Sequence, residues 1–188
     1  MDWIYLPLNT EEQTLYGCLH DGELLSCVSN KLERNVTLVF SVRHLLEESE
    51  ENLEFIFKLD DVTSMRANIW FKPVEKFVEI EGITREERGD LVREYQAKFH
   101  EESINWSDFE SALETDPLQI TDADFVSKDN DFSLTVEGFL DGEKYNNQFC
   151  SIFLRGGNLT VSRSDNENFS LDELRQRGAN YWNSFGED

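Results

Sequence analysis

Apolar side chains fall on every second position from Val36 through Leu38 and Phe40 to Val42, and the same alternation returns at Phe132, Leu134 and Val136. A period of two marks a strand with one buried face. The recurrence is not isolated. Cys27-Val28-Ser29-Asn30-Lys31 matches Phe125-Val126-Ser127-Lys128-Asp129, Ile56-Phe57 matches Ile152-Phe153, and Val62-Thr63-Ser64-Met65-Arg66 matches Leu159-Thr160-Val161-Ser162-Arg163. Four segments in one order, at offsets of 96 to 98 residues, predict two related antiparallel units of four strands. A single unit of that size hardly buries its own apolar face. The two are therefore expected to pack about a pseudo-twofold into one sheet or sandwich.

Between and after these units the period changes. Phe55, Phe57 and Leu59 still alternate, Asp60-Asp61 reads as a tight turn, and a further strand is expected from Phe77 to Ile83 after Pro73. Thr84 with Glu87 then forms a capping box, followed by Leu91, Val92, Tyr95 and Phe99 at helical spacing. Ser107 with Glu110 repeats the signal ahead of Leu113, and Asp116-Pro117 closes this insert. A third capping box, Ser170 with Glu173, opens a last helix whose Leu171, Leu174, Gly178, Tyr181, Trp182 and Phe185 share one face. That face is expected to dock on the sheet. The predicted class is α+β in a single domain, 1–188. It holds a first β unit at 24–83, a helical insert at 84–116, a second β unit at 118–164 and a C-terminal helix at 170–185.

Charge restricts the partners. The chain has 188 residues with 39 acidic and 17 basic side chains, a net charge of −22. Its 39% hydrophobic content, with fourteen Phe and four Trp, still suffices for a core. Nucleic acid and anionic membrane surfaces both require excess Lys and Arg and are excluded as expected partners. No run of about 18 apolar residues is present to span a bilayer. The acids are spread along the chain: 16 against 7 bases in 1–82, 10 against 4 in 83–116, and 13 against 6 in 117–188. The densest run is Glu47-Glu48-Ser49-Glu50-Glu51. It reads as a solvated loop, and Glu47, Glu48, Glu50 and Glu51 are the candidate contacts for a basic partner. The opening Met1–Leu8 segment lacks the basic and long apolar regions of a signal peptide. Cys18, Cys27 and Cys150 are odd in number and widely spaced, which suits reduced thiols in a cytoplasmic protein. Without a secretion signal, the sequons at Asn35, Asn105, Asn158 and Asn168 carry no weight.

Few residues suggest chemistry. His20, His44 and His100 are the only histidines, and His20-Asp21-Gly22 is a turn in which an imidazole and a carboxylate are neighbours. His20, Asp21 and His44 are accordingly the candidate site for an enzyme or a metal-dependent centre. His44 follows a strand that a hairpin would bring back towards His20. Phosphate-binding glycine loops, the nucleophile elbow and H-E-x-x-H are all missing from the sequence. Asp122-x-Asp124 and Asp129-Asn130-Asp131 lack the Gly and Glu of a calcium loop. Cys18 near His20 reads as a buried thiol, and Trp3, Tyr5, Trp70, Phe71, Trp106 and Trp182 as core and helix-docking aromatics. No catalytic residue, resident metal or cofactor is called for.

The stretch from His20-Asp21-Gly22-Glu23-Leu24-Leu25 through Val36–Val42 to Phe55–Leu59 resembles a recurring type of small, acidic, β-rich bacterial protein. Some of these are classed as immunity proteins of toxin systems. The resemblance implies a non-enzymatic binding module and transfers no catalytic residue. Three functions are thus expected in order: a binding module for a basic protein, a site at the His20-Asp21 turn, and a structural or oligomerising module.

Overall fold

A computed structural model describes residues 12–46, 53–71, 82, 84–128, 131–140, 145, 147–165 and 167–184. In chain order the elements are β1 (Glu12–Thr14), α1 (Tyr16–Leu19), β2 (Glu23–Asn30), β3 (Asn35–Ser41), a 3₁₀ turn (Arg43–Leu45), β4 (Phe55–Asp60) and β5 (Ser64–Phe71). There follow α2 (Arg85–Gln96), β6 (His100–Ile104), α3 (Trp106–Leu113), β7 (Leu118–Lys128), β8 (Asp131–Leu140), β9 (Gln148–Gly156), β10 (Asn158–Arg163), β11 (Asn168–Phe169) and α4 (Leu171–Asn183). Apart from Gly82, which lies in a turn at φ 81°, the expected strand from Phe77 to Ile83 lies outside the described residues, as do Trp3, Tyr5 and Phe185.

The strands make one continuous antiparallel sheet in the order β11-β10-β4-β3-β2-β7-β8-β9-β5-β6, with β1 added beside β7. Two meanders, β2-β3-β4 and β7-β8-β9, meet where Glu23 and Leu24 pair with Gln119 and Leu118. Here the turn at Asp60-Asp61 works differently from expectation. The chain does not fold back on β4; β5 pairs with β9, and β10 pairs with β4. Consequently β4-β5 and β10-β9 run side by side as one long ribbon, with Phe55 opposite Arg163 at one end and Trp70 opposite Phe149 at the other. Asp61, at φ 53°, and Gly157 sit at its bend. Thr63 N–H donates to the Arg155 carbonyl and Gly157 N–H to the Asp60 carbonyl. Since β4 and β5 lie towards opposite ends of the strand order, so short a link requires the sheet to curl round on itself.

The enclosed core follows from the alternation. Val36, Leu38 and Phe40 of β3, Phe55, Phe57 and Leu59 of β4, and Phe132, Leu134 and Val136 of β8 are all buried. Phe40 and Phe57 meet edge-on at 4.8 Å. Each such side chain contributes about 1.5–3 kcal/mol on burial. One of the matched segments is out of phase. Phe57 is buried and Ile56 half-buried, whereas Ile152 is buried and Phe153 half-buried. The residues that occupy equivalent places are Phe57 opposite Leu38 and Leu154 opposite Leu134.

Two of the three capping boxes form as read. Thr84 and Glu87 cap α2, and Ser170 and Glu173 cap α4. At α3 the N-cap is Asn105, and Ser107 lies inside the helix. The Glu110 carboxylate instead accepts from the Ser29 N–H of β2 at 2.7 Å, while Trp106, Phe109 and Leu113 bury the apolar face of α3. The insert is also not wholly helical, because β6 pairs along β5 between its two helices. Finally, α4 packs against α1 and the 3₁₀ turn, with Leu174 buried in the core and Arg177 over the Phe169 ring of β11.

Candidate functional site

The turn after α1 is stitched to β7. Asp21 N–H donates to the Ile120 carbonyl and Ile120 N–H to the Gly22 carbonyl. Asp21 adopts φ 62°, a left-handed conformation that Asp tolerates better than most residues. His20 Nδ1 lies 2.9 Å from the Thr121 carbonyl. A carbonyl only accepts, so this nitrogen carries the proton. His20 Nε2 is then directed towards Asp21 Oδ1, 3.5 Å away, and the two form an ion pair when the imidazole is protonated.

His44, in the 3₁₀ turn, does come to the same neighbourhood. The two imidazoles are linked by Trp182 of α4, whose ring lies 5.9 Å from His20 and 6.0 Å from His44. His44 also packs at 4.6 Å against Tyr181. Its Nε2 is sealed from solvent and makes no hydrogen bond. Burial lowers the His44 pKa from its ordinary value; Asp21 and the backbone of Gly17 and Cys18 pull the other way, while His20 adds to the lowering. His20 is thus tethered at the rim and His44 covered. Among the described residues no three His, Cys, Asp or Glu side chains are placed to hold a metal ion.

A second feature adjoins this turn. Asp122 on β7 stands directly opposite Glu137 on β8, and Asp124 lies two residues along the same face. Asp122 and Glu137 are half-buried and Asp124 is exposed. Burial raises the Asp122 pKa, and Asp124 raises it further, against the Ala123 N–H and His20. Glu137 is raised by burial and then by Asp122 and Asp124. No ion pair neutralises any of the three among the described residues. Like charges directly opposite on a sheet oppose folding, so this face concentrates negative charge at a cost. The sequence showed Asp122-x-Asp124, but only the strand register adds Glu137.

The other candidates fall elsewhere. Glu47, Glu48, Glu50 and Glu51 lie outside the described residues, as do Asp129 and Asn130. Cys18, Cys27 and Cys150 are buried free thiols. Burial pushes Cys18 up to about 11 and Cys150 to about 12, and raises Cys27 as well, so none is poised as a thiolate. Trp106 is buried, and Trp70 packs at 5.4 Å on Phe149. No helix among the described residues is long and apolar enough to cross a membrane. Comparison with protein-family models, curated proteins and solved structures finds no match to the chain.

Proposed function

We propose that the chain is a non-enzymatic binding protein that engages a basic protein partner, in the manner of an immunity protein. The observation that carries this reading is the face formed by Asp122, Asp124 and Glu137, where three carboxylates accumulate with no ion pair to any of them among the described residues. A partner's Lys or Arg entering there would relieve their repulsion and gain charge-assisted hydrogen bonds. Steering by a −22 surface would speed the encounter at low salt. The Glu47–Glu51 run, the contact expected from the sequence, is proposed alongside it.

We also read the two meanders as copies of one ancestral unit. Two features support that. Exchanging β2-β3-β4-β5 for β7-β8-β9-β10 leaves the order of these eight strands unchanged when reversed, and the first strand of each meander carries a β-bulge. Three buried free thiols suit a reducing, cytoplasmic setting.

The test uses immobilised wild type beside a D122N/E137Q variant, each exposed to host lysate at low and at high salt. A basic protein retained by wild type at low salt, released at high salt and lost from the variant supports the reading. Its purified form must then bind the wild type at least ~10-fold tighter than the variant, the change expected for two interfacial charges. Identical retention by both proteins overturns it.

A further inference from the structure

The C-terminal helix is anchored on α1 and the 3₁₀ turn, and a histidine sits among the anchors. Gly178 of α4 crosses the backbone of α1 so closely that a Cβ there would lie 2.5 Å from the Gly17 carbonyl oxygen. Trp182 Nε1–H donates to that same carbonyl at 2.9 Å. Arg177 Nη1–H donates to the Leu45 carbonyl of the 3₁₀ turn, also at 2.9 Å. Between these anchors, the His44 imidazole is covered by the Tyr181 and Trp182 rings. Its Nε2 is sealed and makes no hydrogen bond to the protein, while the backbone of Gly17 and Cys18 favours the charged ring.

We propose that His44 is a proton-operated latch for α4: the neutral imidazole fits beneath the helix, and its protonation releases the helix from α1 and the 3₁₀ turn. An imidazolium must place a donor at each nitrogen, and a sealed donor without an acceptor is unfavourable. Release wets that nitrogen. The groups around His44 set the balance. Asp21 and His20 come from the turn after α1, the backbone of Gly17 and Cys18 from α1, and Arg177 and Tyr181 from α4. Asp21 and the backbone of Gly17 and Cys18 favour the charged form, but burial, with His20 adding to it, outweighs them. The docked state therefore holds the proton more weakly than the released state does. Docking is at full strength above about pH 6.5, where a free imidazole is neutral, and weakens as pH falls below that.

Hydrogen exchange of the α4 backbone at pH 7.5 and 5.5, corrected for the intrinsic pH dependence of amide exchange, reads the latch directly. In wild type, opening of α4 should rise ~3–10-fold at pH 5.5 while the β3 and β8 amides stay protected. H20Q should keep the rise at pH 5.5, and H44F should hold α4 equally closed at both values. If wild type shows no rise, or H44F shows the same rise, the latch is wrong. Should H44F fail to fold, an NMR titration of wild type decides the matter. The His44 ring must titrate over the same pH interval in which α4 loses protection, and separate intervals would overturn the proposal.

Discussion

At Gly138 a single hydrogen atom occupies space that no methyl group can enter. The β-bulge between Ile120 and Asp122 brings β7 against β8 there, and a Cβ on Gly138 would overlap the Gln119 carbonyl, lying 2.8 Å from its carbon. Both obstructing atoms are backbone, so a rotamer change cannot clear them. Gly138→Ala should destabilise the protein by about 1–3 kcal/mol or more, the range for overpacking in a rigid site. Gly89, in the exposed helix α2, meets only the end of Arg93 at 3.5 Å. Gly89→Ala should stabilise by about 0.5–1 kcal/mol through helix propensity. Urea unfolding of the two variants beside wild type measures both, and equal shifts would contradict the steric argument. The sequence distinguishes these glycines only in part. Gly89 falls in a readable helical pattern, but the need for Gly138 arises from a bulge on another strand.

Elements whose signals are local were legible, and those depending on partners were not. Thr84 with Glu87 and Ser170 with Glu173 cap their helices because all the atoms concerned lie within one turn. Ser107 with Glu110 has the same spacing, yet Glu110 is drawn away to the Ser29 N–H, 81 residues distant in sequence. The β7-β8 pair shows the same dependence in its electrostatics. Facing carboxylates at Asp122 and Glu137 are invisible until register sets them opposite. Glu137→Gln should stabilise the protein at pH 7 by about 0.2–1 kcal/mol, the range for removing a like-charge cross-strand pair. The sign follows from the raised Glu137 pKa, which means that the folded state binds the proton more tightly than the unfolded chain. The penalty is full at neutral pH and is relieved as pH falls through the raised value towards 4.5, the ordinary one. Wild type and variant should therefore converge in urea melts near that pH, and also at high salt. A constant difference at every pH would assign the gain to packing rather than charge.

For the whole molecule, the consequential feature is that neither β unit keeps its own fourth strand. The alternating segments were readable, as were the α+β class and the buried faces of β3 and β8. Which strands pair was not readable, because Asp60-Asp61 looks like a hairpin turn and in fact directs the chain across to β9. The long ribbon is thus made wholly between units, β4 with β10 and β5 with β9. Cutting the chain between Asp116 and Pro117 removes both partners from each side. In the first fragment Phe57 and Ile69, both buried, lose the strands opposite them; in the second, Val161 and Ile152 do. With an apolar face uncovered and only a short meander left, neither fragment should show a cooperative thermal transition alone. Mixed at equal concentration, they should recover the circular dichroism of the intact chain with a midpoint that rises with concentration, because association now carries the folding free energy. If residues 117–188 melted cooperatively without their partner, the second unit would be an independent domain and the ribbon merely a contact between domains. Recovery only on mixing would instead make the exchange of fourth strands the step that completes the core.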